Sequence, residues 1–170
     1  VSLSDISISA ADLNIPGLSA MVSPDQPEVS LNGATVDFGL CNLPGEAKLT
    51  VKKLSPKADA KNGFLIQPYD FSLEGRSEFH VPVLLEMAYA PSVEDDAAES
   101  NGIFVQHYDG GKWQLVPSWV NADKNTVTVL TNHFSTFAVF EDTSAKDGVV
   151  SLFRYQGRYR GPTTPVYTTG

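Results

Sequence analysis

Residues 103–116 read Ile103-Phe104-Val105-Gln106-His107-Tyr108-Asp109-Gly110-Gly111-Lys112-Trp113-Gln114-Leu115-Val116. The segment Ile103 to Tyr108 is rich in β-branched and aromatic residues, as expected of a strand. Asp109-Gly110-Gly111, between Tyr108 and Lys112, supplies the positive φ that a tight hairpin turn needs. After the turn Trp113 alternates with Leu115, again the period of a strand.

The same grammar runs outward through the chain. Strands are expected over Leu3 to Ser9, Ala34 to Leu40, Ala47 to Leu54, Phe64 to Leu73, Glu78 to Met87, Ile103 to Tyr108, Asn125 to Thr131 and Phe134 to Phe140. Residues 121–125, Asn121-Ala122-Asp123-Lys124-Asn125, read as a second turn. No apolar period of 3.6 persists over a helical length. Short strands with turns every eight to twelve residues mean a sandwich or barrel, and we read an all-β, antiparallel β-sandwich. In Glu78 to Met87 the apolar face is Phe79, Val81, Val83 and Leu85, which places His80 on the polar one. Phe134 to Phe140 is apolar on both faces, the pattern of an interior strand.

The sandwich is expected to occupy residues 1–142. Residues 143–170 form a separate C-terminal segment: Val149 to Phe153 could add a strand, and residues 156–170 read as a Thr/Pro/Gly-rich linker or tail. Charge divides the chain in the same region. All 20 acidic residues lie at or before Asp147, giving a net −11 there, whereas Arg154, Arg158 and Arg160 leave the tail at +3. The overall charge of −8 argues against nucleic acid and anionic membrane as partners. No apolar run approaches the ~18 residues of a membrane span, so no membrane insertion is expected. Neighbouring domains of the same polypeptide or protein partners remain, in an extracellular or cell-surface setting.

Conventional sites are not apparent. Cys41 is alone, most simply a small hydrophobe. His80, His107 and His133 are 27 and 26 residues apart, without the close pair that zinc sites use. Glu94-Asp95-Asp96 with Glu99 lacks ordered calcium-loop spacing and reads as a solvated charge run within the acidic loop Pro91 to Gly102. No phosphate loop or Gly-x-Ser-x-Gly elbow is present. We therefore expect neither metal nor cofactor. Trp113 and Trp119 invite a carbohydrate-binding reading, but each fits the edge or core of a sandwich as well.

One constellation stands out: Thr131-Asn132-His133-Phe134-Ser135-Thr136-Phe137-Ala138-Val139. With Tyr69-Asp70-Phe71, Phe79-His80-Val81-Pro82-Val83, Gly111-Lys112-Trp113-Gln114-Leu115-Val116-Pro117 and Asn125-Thr126-Val127-Thr128-Val129, it makes residues 67–141 resemble the ZU-type domain. That domain occurs in zonula-occludens scaffolds, netrin receptors and ankyrins, and in bacterial surface-protein relatives. The first half departs from the eukaryotic pattern, with Ile15-Pro16-Gly17 an echo of its Ile-Pro segment. The His-Phe-Ser run is also similar to the cleavage site of autoproteolysis-inducing domains of adhesion receptors and of the self-cleaving PIDD death-domain scaffold. In those families the bond before the Ser or Thr breaks by itself, which implies His133, Phe134 and Ser135 as the site here.

The chemistry of such a site is simple to state. A serine hydroxyl needs a base, and an imidazole is suited to that near neutral pH. Ser135 would attack the Phe134 carbonyl, and the amide would yield more readily if a tight bend twisted it; ~12° of ω costs about 1 kcal/mol. Two readings stay open. In one, the chain is a structural or adhesion-type module of a larger surface or secreted protein, and His133 and Ser135 merely satisfy the backbone at a bend. In the other, the same sandwich is a single-turnover autoprotease whose fragments stay associated.

Overall fold

A computed structural model describes residues 6–40, 42–59, 61–90 and 102–143. Strand makes up 62% of it and helix 4%, so the fold class is all-β. Cys41, the acidic residues Glu94, Asp95, Asp96 and Glu99, the segment Val149 to Phe153 and the tail 156–170 lie outside the described residues.

Among the described residues, twelve strands form two antiparallel sheets. They are β1 (Leu18–Val22), β2 (Glu28–Leu31), β3 (Ala34–Asp37), β4 (Ala47–Lys53), β5 (Lys57–Asp59), β6 (Phe64–Leu73), β7 (Glu78–Ala88), β8 (Ile103–Asp109), β9 (Lys112–Val116), β10 (Trp119–Asn121), β11 (Thr126–His133) and β12 (Thr136–Asp142). The first sheet runs β1-β4-β6-β12-β8-β9, with β5 also paired to β6; the second runs β10-β11-β7-β3-β2. The antiparallel β-sandwich expected from the alternation is what the chain forms.

The turns follow the expected chemistry. Asp109 pairs with Lys112 across Gly110 and Gly111, whose φ values are 61° and 82°. At residues 121–125 the Asn121 Oδ1 accepts from the backbone N–H groups of Asp123 and Lys124, and Asn125 takes φ 55°. Pro68 lies within β6 although it has no N–H. Its carbonyl accepts from Leu54 N–H, just past β4 and before β5, so its missing donor faces the gap between those two strands.

Between the sheets lies the larger core, which includes Phe38, Leu49, Val51, Tyr69, Phe71, Leu85, Met87, Val129, Phe134 and Phe137. A smaller cluster of Phe64, Ile66, Phe104, Ala138 and Phe140 is covered by Ile6 and Trp113. Residues of β12 enter both clusters, as expected of an interior strand, and β12 is flanked by β6 and β8.

Two expectations need correction. The part of Leu3 to Ser9 that is described forms no strand. Instead Ser9 caps the short helix α1 (Ala10–Leu13): its Oγ accepts from Asp12 N–H at 3.3 Å, and the Asp12 carboxylate accepts from Ser9 N–H at 2.7 Å. These bonds and Lys57 hold the Asp12 carboxyl down to about 2. The second correction is Val81, which is exposed rather than in the core. The register between β7 and β11 slips there, and residues 79–82 face Asn132 alone. The buried Asn42 side chain fills the breach, donating to Val81 O at 2.7 Å and accepting from Val81 N–H at 3.3 Å.

Candidate functional site: the crossover between the sheets

His133 is the last residue of β11, in the second sheet, and Thr136 the first of β12, in the first sheet. Phe134 and Ser135 are therefore the passage from one sheet to the other. The hydrogen bonds divide between them. Phe134 N–H donates to Ser77 O at 2.9 Å, just ahead of β7, while Ser135 O accepts from Phe71 N–H at 3.3 Å, in β6. The Phe134–Ser135 peptide bond is thus the link where the chain leaves one ladder and joins the other.

Both sides of that link are held. The buried Phe134 ring meets Phe38, Phe71 and Phe79 with centroids 5.8, 5.8 and 4.9 Å away. Each such pair contributes about 0.5–1.5 kcal/mol beyond the area it buries. On the preceding side, Thr131 Oγ1 donates to His133 O at 2.9 Å and accepts from His133 N–H at 3.2 Å. On the following side, Thr136 Oγ1 donates to Asp70 Oδ1 at 2.9 Å. The bend needs no positive φ at His133, Phe134 or Ser135, so the expected distortion does not come from left-handed backbone.

The Ser135 hydroxyl is the anomaly. Its Oγ is buried and has no hydrogen-bond partner in the protein. Leaving such a group unpaired costs about 1–3 kcal/mol, and buried hydroxyls in folded proteins nearly always avoid it. Ser135 stands at the bend itself, before β12 begins, with Phe134 and Phe137 on either side of it both in the larger core.

His133 does not hydrogen-bond to Ser135 in this state. Its ring stacks on Phe137, with centroids 6.0 Å apart, and makes an edge contact with His107 at 4.9 Å. His107 comes from β8, where it sits opposite Phe137 on β12 and Gln114 on β9. Its ring lies 5.7 Å from Phe137. Burial, and then the neighbouring His133, push the His107 imidazole below its usual range, with Asp109 and Gln114 pulling the other way. Its Nδ1 is buried and, like Ser135 Oγ, without a hydrogen-bond partner. The chain therefore brings two of its three histidines together at the crossover and leaves His80 exposed on β7.

Sequence reasoning missed His107. The distance of 26 residues to His133 carries no local signal, because β8 and β11 belong to different sheets. Among the described residues, no three His, Cys, Asp or Glu side chains converge as a metal cluster would. No helix among them is long and apolar enough to cross a membrane. Of the tryptophans, Trp113 donates its indole N–H to Ile6 O at 2.6 Å and sets its ring edge-on to Phe140, whereas Trp119 is exposed on edge strand β10.

No family model matches this chain and no curated protein matches it, so its likeness to ZU-type and self-cleaving domains rests on the residues quoted from its sequence.

Proposed function

We propose that this chain is a structural, adhesion-type β-sandwich module of a larger surface or secreted protein, and that it cleaves itself once between Phe134 and Ser135. Its partners on this reading are neighbouring domains of the same polypeptide or other proteins. The supporting observation is the buried, unpartnered Ser135 Oγ at the link between the sheets. A buried hydroxyl free of other partners, next to a peptide bond fixed on both sides, suits intramolecular attack.

In the reaction, Ser135 Oγ bonds to the Phe134 carbonyl carbon while His133 takes the hydroxyl proton. The tetrahedral intermediate collapses by breaking the bond from that carbon to Ser135 N, and His133 returns the proton to the departing amine. The product is an ester between Phe134 and Ser135. One water then hydrolyses it to the Phe134 carboxylate and a free Ser135 hydroxyl, leaving fragments of 134 and 36 residues.

A second reading has a specific observation in its favour. The His133 ring packs on Phe137 and His107, not on Ser135 Oγ, as it would in a passive structural module. Intact mass decides between them. Self-cleavage gives two masses that together exceed the full-length chain by one water, in a sample that elutes as a single species on gel filtration. Hydroxylamine accelerates it if the ester accumulates, and Ser135→Ala abolishes it. A wild-type chain that stays full length after long incubation, with and without hydroxylamine, establishes the passive module.

A further inference from the structure

We infer that His107 is a positioning residue of the self-cleaving site, holding His133 for proton transfer through its unpartnered Nδ1. The inference rests on the self-cleavage reading above. A base at the end of a strand needs a third group to orient it, and His133 is the terminal residue of β11, where its backbone is bonded to the Thr131 hydroxyl and its register partner is Glu78. The polar side chain its ring touches is His107, in edge contact at 4.9 Å. His107 is fixed from the opposite sheet, because β8 is paired with β12 on one side and β9 on the other. Both imidazoles lean on Phe137, two residues beyond Ser135. The two histidines thus gather around one ring, two residues along the chain from the serine.

The chemistry suits the placement. When His133 takes the Ser135 proton it becomes a cation in a largely aromatic setting, and it needs an acceptor that is itself uncharged. His107 is that group: burial favours its neutral form, and its Nδ1 has no other partner. A small rotation of the His133 ring converts the edge contact into an N–H···N hydrogen bond. His107 neither gains nor loses a proton in the cycle, because the proton passes from Ser135 Oγ to His133 and on to Ser135 N. Asp109 lies two residues further along β8, opposite Lys112 on β9, and Glu78 lies opposite His133 on β7.

The test compares two substitutions of one residue in the full chain. His107→Phe keeps a ring against Phe137 and His133 but removes the acceptor. His107→Asn loses the ring yet places a polar atom near the position of Nδ1. Cleavage is followed by mass against time at pH 7, and each substitution is also made in the Ser135→Ala background to measure thermal stability without cleavage. His107→Phe is expected to slow cleavage by about 10- to 100-fold, the usual loss when the group that orients an imidazole is removed. His107→Asn is expected to be faster than His107→Phe by roughly tenfold despite poorer packing. A His107→Phe chain that cleaves at the wild-type rate overturns the inference and leaves self-cleavage standing. So does a His107→Asn chain as slow as His107→Phe or slower, which reduces His107 to packing. A wild-type chain that never cleaves removes both the reading and this inference, and is recognised by needing no substitution to show it.

Discussion

The Tyr69 hydroxyl donates to the Ala88 carbonyl across 2.5 Å, joining β6 of the first sheet to the end of β7 in the second. Tyr69 is wholly buried, and burial pushes its phenol up to about 12. Ala88 is the last residue of β7, and its N–H donates to Gly33 O.

Tyr69→Phe is expected to lower stability by about 1–3 kcal/mol, because the Ala88 carbonyl is left without this donor. It also changes the alkaline behaviour. With the folded phenol raised above its unfolded value, its contribution is intact below pH 10 and is lost as pH rises through about 12. Urea midpoints measured from pH 9 to 12 are expected to fall along that limb for wild type and less steeply for Tyr69→Phe.

Phe134→Ala removes the ring that touches Phe38, Phe71 and Phe79. A loss of about 3–5 kcal/mol is expected, as for large-to-small changes in a packed core. Phe134→Leu keeps most of the volume and is expected to lose less. Denaturant melts in the Ser135→Ala background measure both without interference from cleavage.

Asp70→Asn is expected to raise the thermal midpoint at neutral pH by about 2–4 °C. Burial raises the Asp70 carboxyl above its usual value, while Thr136 and Lys52 lower it less. A raised carboxyl contributes stability at low pH that is lost as pH rises through its folded value, so at pH 7 the ionised form is a burden. Asparagine retains an acceptor for the Thr136 hydroxyl. An unchanged midpoint would mean that Lys52 cancels the burial.

His107 gives the opposite slope. Its folded imidazole is held below the unfolded 6.5, so the unfolded chain binds the proton first as pH falls. Stability present above pH 6.5 is therefore expected to decline on acidification below it. The acid limb of a urea titration is expected to be flatter in His107→Phe, with Ser135→Ala in both chains.

The sequence made the interior of this fold legible and concealed its rim. Alternation located β3, β4, β6, β7, β8, β11 and β12, each of which has a neighbour on both sides, and Phe64–Leu73 matched to the residue. The strands not foreseen are β1, β2, β5 and β10, which lie at sheet edges or flank β6 on one side, whereas edge strand β9 follows from the Gly110-Gly111 hairpin. Edge strands tolerate polar residues and short lengths, as Glu28–Leu31 and Trp119–Asn121 do, so their pattern is weak. Two local signals were nevertheless there to use. Asn32-Gly33 turns the β2–β3 hairpin with φ values of 57° and 87°, and Ser9 to Asp12 is a capping box inside an apparent strand.

The candidate site divided in the same way. His133, Phe134 and Ser135 could be named from the chain because they are contiguous. That the bond after Phe134 joins two sheets could not, since an expected strand beginning at Phe134 hides the crossover. His107 required the register of β8 on β12, a long-range property that no window of sequence contains.

The position of β12 also sets a timetable. Its partners β6 and β8 precede it in the chain, and β6 pairs with it residue for residue from Phe64↔Asp142 to Asp70↔Thr136. Until residues 136–142 have left the ribosome, β6 and β8 have no strand between them, and the core lacks Phe137 and Val139. Closing so distant a pairing is slow, as in other sheets built from non-local contacts. The Phe134–Ser135 link reaches its final geometry only with that last insertion. Any reaction at this bond would therefore wait for β12 to take its place, and a nascent or misassembled chain would lack the geometry for it.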